Sequence, residues 1–360
     1  MNRRLLQWAA FLFGVFHIYT NVFASMSELW FSAIHFGGFG ALCALSFHDP
    51  DRQEPGRFLT NALRVVLAAL SVASAAYLVL FENALYARET EFIWSDYLFS
   101  GLAVLLAIEL TRRTSGWFMP ALIIVSLSYM LFLGRYLAGV FSFPGLSLET
   151  VLYRSYFSST GMFGFVANIS ATYVFMFILF GSFLLKSGAG DFIIRLAHSV
   201  AGRFTGGAGM VAVVSSGLMG SVTGSAVANT VSTGVITIPM MKRSGFSPRF
   251  SAAVESAAST GGQLMPPVMG AGAFVMASYT QIPYTHIIAV SVLPALLYFL
   301  TVAFFIRGEA IRLGIAVDHV QRGPGMIAIV REGWHFIGPL ALLVVLLAVG
   351  FTPVRSVSLA

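Results

Sequence analysis

The chain has 360 residues, of which 57% are hydrophobic and 10% charged, with 33 Phe and a formal net charge of +6. Soluble domains carry about 25% charged residues, so this composition excludes one. Apolar runs recurring from end to end make the chain an all-α polytopic membrane protein, and the alternating segments of a membrane β-barrel are missing.

Runs close to the ~20 residues that a helix needs to cross the hydrocarbon predict spans over 5–23, 29–47, 58–81, 95–110, 117–141, 164–185, 285–306 and 334–350. The first is not a cleaved signal, because no A-x-A site follows it. The lone Cys43 lies inside a span, which leaves no disulfide framework. With a cytoplasmic N-terminus and alternating sides, every Lys and Arg except Arg88, Arg135, Arg154 and Arg355 falls on the inner side, Arg52 and Arg322 included. The positive-inside rule therefore accounts for the basic balance without a nucleic-acid partner. The first four spans form one region, 1–115, closed by TRRTSG, and 116–360 form a second. Within 188–204, Asp191, Arg195, His198 and Gly202 mark a polar stripe opposite Phe192, Ile193, Leu196, Val200 and Phe204. That pattern predicts a helix lying at the cytoplasmic interface of the membrane.

Two segments depart from clean spans. The first, 206–241, reads GGAGMVAVVSSGLMGSVTGSAVANTVSTGVITIPMM. Its arms, 207–218 and 226–241, are short or polar, and both ends adjoin basic residues, Arg203 before and Lys242-Arg243 after. A re-entrant hairpin that enters and leaves by one face satisfies both facts. The second, 247–281, has two helical arms around STGGQLMPP (259–267). Pro266 and Pro267 remove two donors there, and Gly261-Gly262 loosen the backbone, so the spanning helix is discontinuous.

Broken backbone at membrane depth is tolerated only when it is buried in protein or lines a wet cavity. Secondary transporters build substrate and ion sites from such breaks. Hard cations take oxygen ligands, and Ser221, Thr223, Ser225, Asn229, Thr260 and nearby carbonyls supply only oxygen for that purpose. Close helix packing through the Gly220/Gly224 pair is the plainer alternative. Gln263 is positioned either to bind substrate or to hold the break. Glu255, an acid inside an apolar arm, either couples an ion or proton or pairs with a base such as Arg249. Glu109, beside Arg112 and Arg113, is structural. His17, His35, His48, His198, His286, His319 and His335 show no metal-ligand spacing, and no GxxxxGK[ST] phosphate loop exists, so the chain encodes neither an enzyme site nor an ATP-driven pump.

The run GSVTGSAVANTVSTGVITIPMMKRSGFSPRFSAAVESAASTGGQLMPPVMGAGAFVMA (220–277) resembles the large membrane subunit of TRAP (tripartite ATP-independent periplasmic) transporters. The resemblance is greatest to the fused form that works with TAXI-type binding proteins. It is strong over 160–310, and the four spans before residue 116 resemble the fused small subunit. It implies a bacterial inner-membrane, elevator-type importer of an organic acid such as a dicarboxylate, coupled to Na+ and fed by a periplasmic binding protein, with no ATPase subunit and no other cofactor. It places an Na+ half-site on Ser221, Thr223, Gly224, Ser225, Asn229, Thr260, Gly261 and Gly262. It places a substrate wall on Ser225, Asn229, Gln263 and Pro266. The family has two inverted repeats, whereas this chain shows only the first, which implies a truncation at the C-terminus. Two alternatives stay open, a non-transporting fragment and a passive channel, since broken helices also line pores.

Overall fold

The computed structural model describes residues 3–46, 57–315 and 325–360; His48, Arg52, His319 and Arg322 lie outside the described residues. All regular structure among the described residues is helical. Among the described residues, six helices are long and apolar enough to cross a membrane, or seven if one bent pair counts as a single span. The all-α polytopic fold expected from composition is the fold observed. The chain divides into two compact units, residues 1–172 and 173–360.

The first unit holds α1 (Arg3–Val22), α2 (Glu28–Ser46), α3 (Arg57–Arg88) and α4 (Trp94–Ser115). α3 runs seven residues past the predicted end of its span, with a kink at Phe81 (φ −114°, ψ 15°) marking that end. α2 lies against α3 through small residues: a Cβ built on Gly37 would stand 2.6 Å from the Ala75 Cβ and 3.1 Å from the Ser71 carbonyl. The buried Asp96 carboxylate near the start of α4 accepts from Arg88 Nη2 at 2.8 Å, Tyr77 OH at 2.7 Å and the Ile93 amide at 3.0 Å. Glu109 accepts from Arg112 and Arg113, both at 2.7 Å, in the structural role expected of it.

The fifth predicted span, 117–141, is shorter than expected. α5 (Phe118–Leu131) has 14 residues, a reach of about 21 Å. Beyond it the chain folds back, with Phe143 N donating to the Gly134 carbonyl at 2.9 Å and Leu146 N to Met130 at 2.8 Å. Gly139 (φ +68°) and Gly145 (φ +82°) take the left-handed turns this requires. α6 (Leu148–Tyr156) follows, its N-cap Ser147 accepting from Thr150 N, and its Tyr156 hydroxyl donates to the Ser74 carbonyl. α7 (Phe165–Ile169) then opens into a π turn, Ser170–Val174. Here two histidines far apart in sequence meet: His17 Nε2 and His35 Nδ1 are 3.0 Å apart, with Ser170 Oγ 3.3 Å from His35 Nε2.

The second unit begins with α8 (Phe175–Lys186) and α9 (Ala189–Ala201). α9 buries Phe192, Ile193 and Ala197 and leaves Asp191 and Arg195 exposed, the amphipathic pattern read from the sequence. The hairpin is α10 (Gly207–Thr223) and α11 (Ala226–Arg243). The discontinuous helix is α12 (Pro248–Gly261), a 3-10 turn to Leu264, an irregular stretch to Gly270, and α13 (Ala271–Thr280). α14 (Tyr284–Arg312) packs along α10 and α12. α15 (Met326–Glu332) and α16 (Trp334–Val349) meet at a 79° bend, and α17 (Pro353–Leu359) ends the chain.

The α2–α3 contact generates a stability prediction. Gly37→Val forces side-chain atoms into the α3 backbone and lowers stability by about 1–3 kcal/mol, the usual cost of overpacking. Gly101→Ala, at a position with nothing within 4 Å of the added Cβ, leaves the melting temperature of the purified protein unchanged. Thermal unfolding in detergent reads both.

Candidate functional site

The two hairpin arms are longer than the sequence suggested. They have 17 and 18 residues, so each reaches about 25–27 Å. The hydroxyls nearest the tip are satisfied within their own helix. Ser221 Oγ donates to the Leu218 carbonyl at 2.7 Å, and Thr223 Oγ1 to Met219 at 3.1 Å. The turn itself is two residues. Gly224 is left-handed (φ +60°) and returns its amide to the Gly220 carbonyl at 2.9 Å. Ser225 caps α11, its hydroxyl accepting from Ala228 N at 3.3 Å.

The break in the following helix seats on this tip. A Cβ built on Gly220 would lie 2.2 Å from Gly262 Cα, and one on Gly224 would lie 2.6 Å from the Met269 carbonyl. Only glycine admits backbone that close. Val268 N donates to the Ser221 carbonyl at 3.2 Å, and Gly270 N to the Gln263 carbonyl at 2.9 Å. Tyr284 OH donates to the Pro267 carbonyl at 2.8 Å. Behind the break, Phe274 stacks between Tyr284 (4.6 Å between centroids) and Tyr173 (5.5 Å), with Phe177 beside it at 5.2 Å. Gly262, Val268 and Met269 of the irregular stretch are buried in protein, the condition for tolerating broken backbone at depth, while Gln263 and Leu264 are exposed at its mouth.

The expected site residues divide by where they point. Ser221, Thr223, Gly224, Ser225, Asn229 and Gly262 gather where tip and break meet. Asn229 is fully buried, and its Nδ2 donates to the Ser216 carbonyl at 2.8 Å, directly against Gly262. Thr260 and Gly261 face elsewhere. Thr260 is exposed and donates to the Ser256 carbonyl at 2.8 Å, while Gly261 abuts the Tyr298 ring of α14. Gln263 is exposed and Pro266 half-buried at the mouth of the break.

Glu255 is fully buried, and no base pairs with it among the described residues; Arg249, the partner considered from the sequence, is exposed. Its carboxyl instead meets four hydroxyls. Oε1 takes Thr233 at 2.5 Å, Ser259 at 3.1 Å and Ser216 at 3.3 Å, and Oε2 takes Thr237. Sequence reasoning missed this cluster. The signal was present in two i,i+4 pairs, Thr233/Thr237 and Glu255/Ser259, each marking one helix face.

Comparison with known proteins identifies the family. The family model described as tripartite ATP-independent periplasmic transporter, DctM component, matches residues 102–360. The chain belongs to the TRAP transporter family. A C4-dicarboxylate TRAP transporter large permease protein of Vibrio cholerae is 30% identical over 151 residues, which is 40% of this chain and 33% of that protein. A large permease protein of Haemophilus influenzae, named as a putative TRAP transporter component, is 32% identical over 139 residues, 39% of this chain and 32% of that protein. The sialic acid TRAP transporter large permease protein of Vibrio cholerae is 28% identical over 126 residues, 35% of this chain and 30% of that protein. The chain thus spans about a third of the length of the curated relatives it matches. It is a TRAP permease component of the membrane, from a transporter family and not an enzyme family.

The glycine contact generates the second prediction. Gly220→Ala separates tip from break, because no flexible side chain can yield, and destabilises the protein by about 1–3 kcal/mol. Gly272→Ala, which meets nothing within 4 Å, has no effect. Equal melting temperatures for the two variants would exclude the contact.

Proposed function

We propose that the chain is the membrane permease component of an Na+-coupled secondary transporter that imports a carboxylate-bearing solute delivered by a periplasmic binding protein. It sits in a bacterial inner membrane with its N-terminus in the cytoplasm, and the hairpin and broken helix move together in an elevator. The observation that carries this reading is the backbone-to-backbone seating of Gly220 on Gly262. Two chain breaks meet there with oxygen atoms concentrated around them.

The electrostatics of the tip support a cation and a carboxylate side by side. α10 ends at the tip with its carbonyls, the negative end of its dipole, and α11 begins there with its amides, the positive end. Na+ therefore belongs beside the Gly220–Gly224 carbonyls. The Ser221 and Thr223 hydroxyls give their protons to their own helix, so their lone pairs remain for a cation. Gly262 and Asn229 close that half-site, and Thr260 and Gly261, which face away from the hairpin, enter it through backbone oxygen alone. Ser225 has the opposite polarity. Its oxygen already accepts from Ala228 N, which leaves its proton for a substrate carboxylate at the α11 N-terminus. Gln263 and Pro266, at the mouth of the break, complete the substrate wall. The C4-dicarboxylate and sialic acid of the relatives' names share a carboxylate, the group this end of the hairpin suits.

The test is solute uptake into proteoliposomes with the cognate binding protein, with Na+ outside or replaced by choline at a held membrane potential. Uptake falls to background in choline; uptake of equal rate in both media refutes the coupling. Sidedness has its own test. In a Cys43→Ser background, Arg203→Cys and Arg243→Cys both react with an impermeant maleimide from the cytoplasmic face. Labelling from opposite faces would remove the re-entrant hairpin.

A further inference from the structure

Two carboxyl groups are fully buried among the described residues, Asp96 and Glu255. Asp96 is answered by the Arg88 guanidinium. Glu255 is answered by hydroxyls from three helices: Ser216 of α10, Thr233 and Thr237 of α11, and Ser259 of its own α12. A buried polar group is stable only with its partners in place, so each hydroxyl constrains the helix that carries it. Ser216 extends the network to the tip, since its carbonyl takes Asn229 Nδ2, and Asn229 lies against Gly262. The acid is seven residues before Gly262, about 10 Å down the helix. It is too deep to belong to the tip and is placed to hold what reaches it.

We propose that Glu255 is a positioning residue. Its carboxyl clasps both hairpin arms to α12, holds Asn229 and Gly220 on Gly262, and makes the hairpin tip and the helix break one rigid block. This rests on the reading of tip and break as the ion site. It adds that the geometry of that site is set by an acid that touches neither ion nor substrate. The role requires hydrogen bonds across three helices and not a net charge, so glutamine substitutes for glutamate. Its amide oxygen accepts from Thr233 and Ser259, and its NH2 donates to the Thr237 oxygen, whose own proton turns to the Thr233 carbonyl 3.0 Å away.

Hydrogen exchange on the purified full chain tests this, with peptides covering 218–232 and 256–264 as reporters and 300–312 of α14 as the internal reference. Glu255→Leu, which removes the acceptor that joins the three helices, speeds exchange at both reporters about tenfold. Glu255→Gln returns it to within about threefold of the native rate, since hydrogen bonds are restored. Either of two results overturns the proposal: Glu255→Gln as damaging as Glu255→Leu, or Glu255→Leu leaving 218–232 unchanged. If Glu255→Leu also raises exchange in the reference peptide, Thr237→Val decides. It removes a single hydroxyl about 12 Å along α11 from Asn229. Faster exchange at the tip supports the clasp, and an unchanged tip overturns it. A parallel series in NaCl and choline chloride separates the two readings. If Na+ fails to slow tip exchange in the native chain, the ion site falls, while the pattern across the variants still decides the role of Glu255.

Discussion

Backbone that leaves a helix inside a membrane must find partners within the protein, because hydrocarbon offers none. The second unit is arranged around that constraint. At the hairpin tip and the helix break, four of the freed groups are met locally: Gly224 N by Gly220, Val268 N by Ser221, Gly270 N by Gln263, and the Pro267 carbonyl by Tyr284. Pro266 and Pro267 contribute no amide to satisfy. The contact of Gly220 with Gly262 makes these bonds reachable, since a side chain on either residue would hold the strands of backbone apart. Without that contact, each break would be an open gap in a low-dielectric setting.

The same constraint explains why a polar segment is stable in an oily chain. Ser221, Thr223, Thr230 and Ser232 each donate within their own helix. Such back-bonding lets a hydroxyl sit in an apolar setting without a partner across the interface. Polarity is also confined to one side of α11. Val227, Val231 and Val235, spaced four apart on the opposite face, are 65–75% exposed. Small residues inward and branched apolar residues outward give close helix approach on one face and a hydrophobic surface on the other.

Much of this was legible in the sequence, and the reasons for the rest are physical. Span positions followed from hydropathy because α1, α2, α4 and α14 are continuous apolar helices, and the basic residues on either side of 206–241 marked a hairpin. The break after Leu264 followed from its prolines, although α12 continues through Thr260 and Gly261 before it gives way. The arm lengths did not follow, because Gly, Ser and Thr are weak helix formers in isolation. They stay helical to Thr223 through tertiary packing that no single segment encodes. α5 stopped early for a similar reason: its apolar run continues, but the loop that folds back onto Gly134 wins over helix extension. The α15–α16 bend, the π turn at Ser170–Val174 and the His17–His35 contact depend on neighbours distant in sequence. Thr260 shows the limit at the scale of one residue. Its type and position suit a ligand, and only its rotation about α12 reveals that it faces away from the hairpin.

The polar residues of the second unit fall into two classes by access. Those around Glu255, namely Ser216, Thr233, Thr237 and Ser259, are fully buried and bonded to its carboxyl. Ser225, at the tip, and Gln263, at the mouth of the break, are partly or wholly exposed. A group with all its partners inside the protein has nothing left to offer a solute, and disturbing it costs the full penalty of a buried unpaired polar atom. A group with spare donors or lone pairs at an accessible surface can exchange water for a ligand at little cost. Rigidity and recognition therefore occupy different levels of the same helices. The deep level fixes where α10, α11 and α12 stand, and the tip, one to two turns beyond it, presents oxygens and protons whose spacing the deep level has already set. A site built in this way needs few residues of its own, which is why the residues that determine its geometry are not the ones that line it.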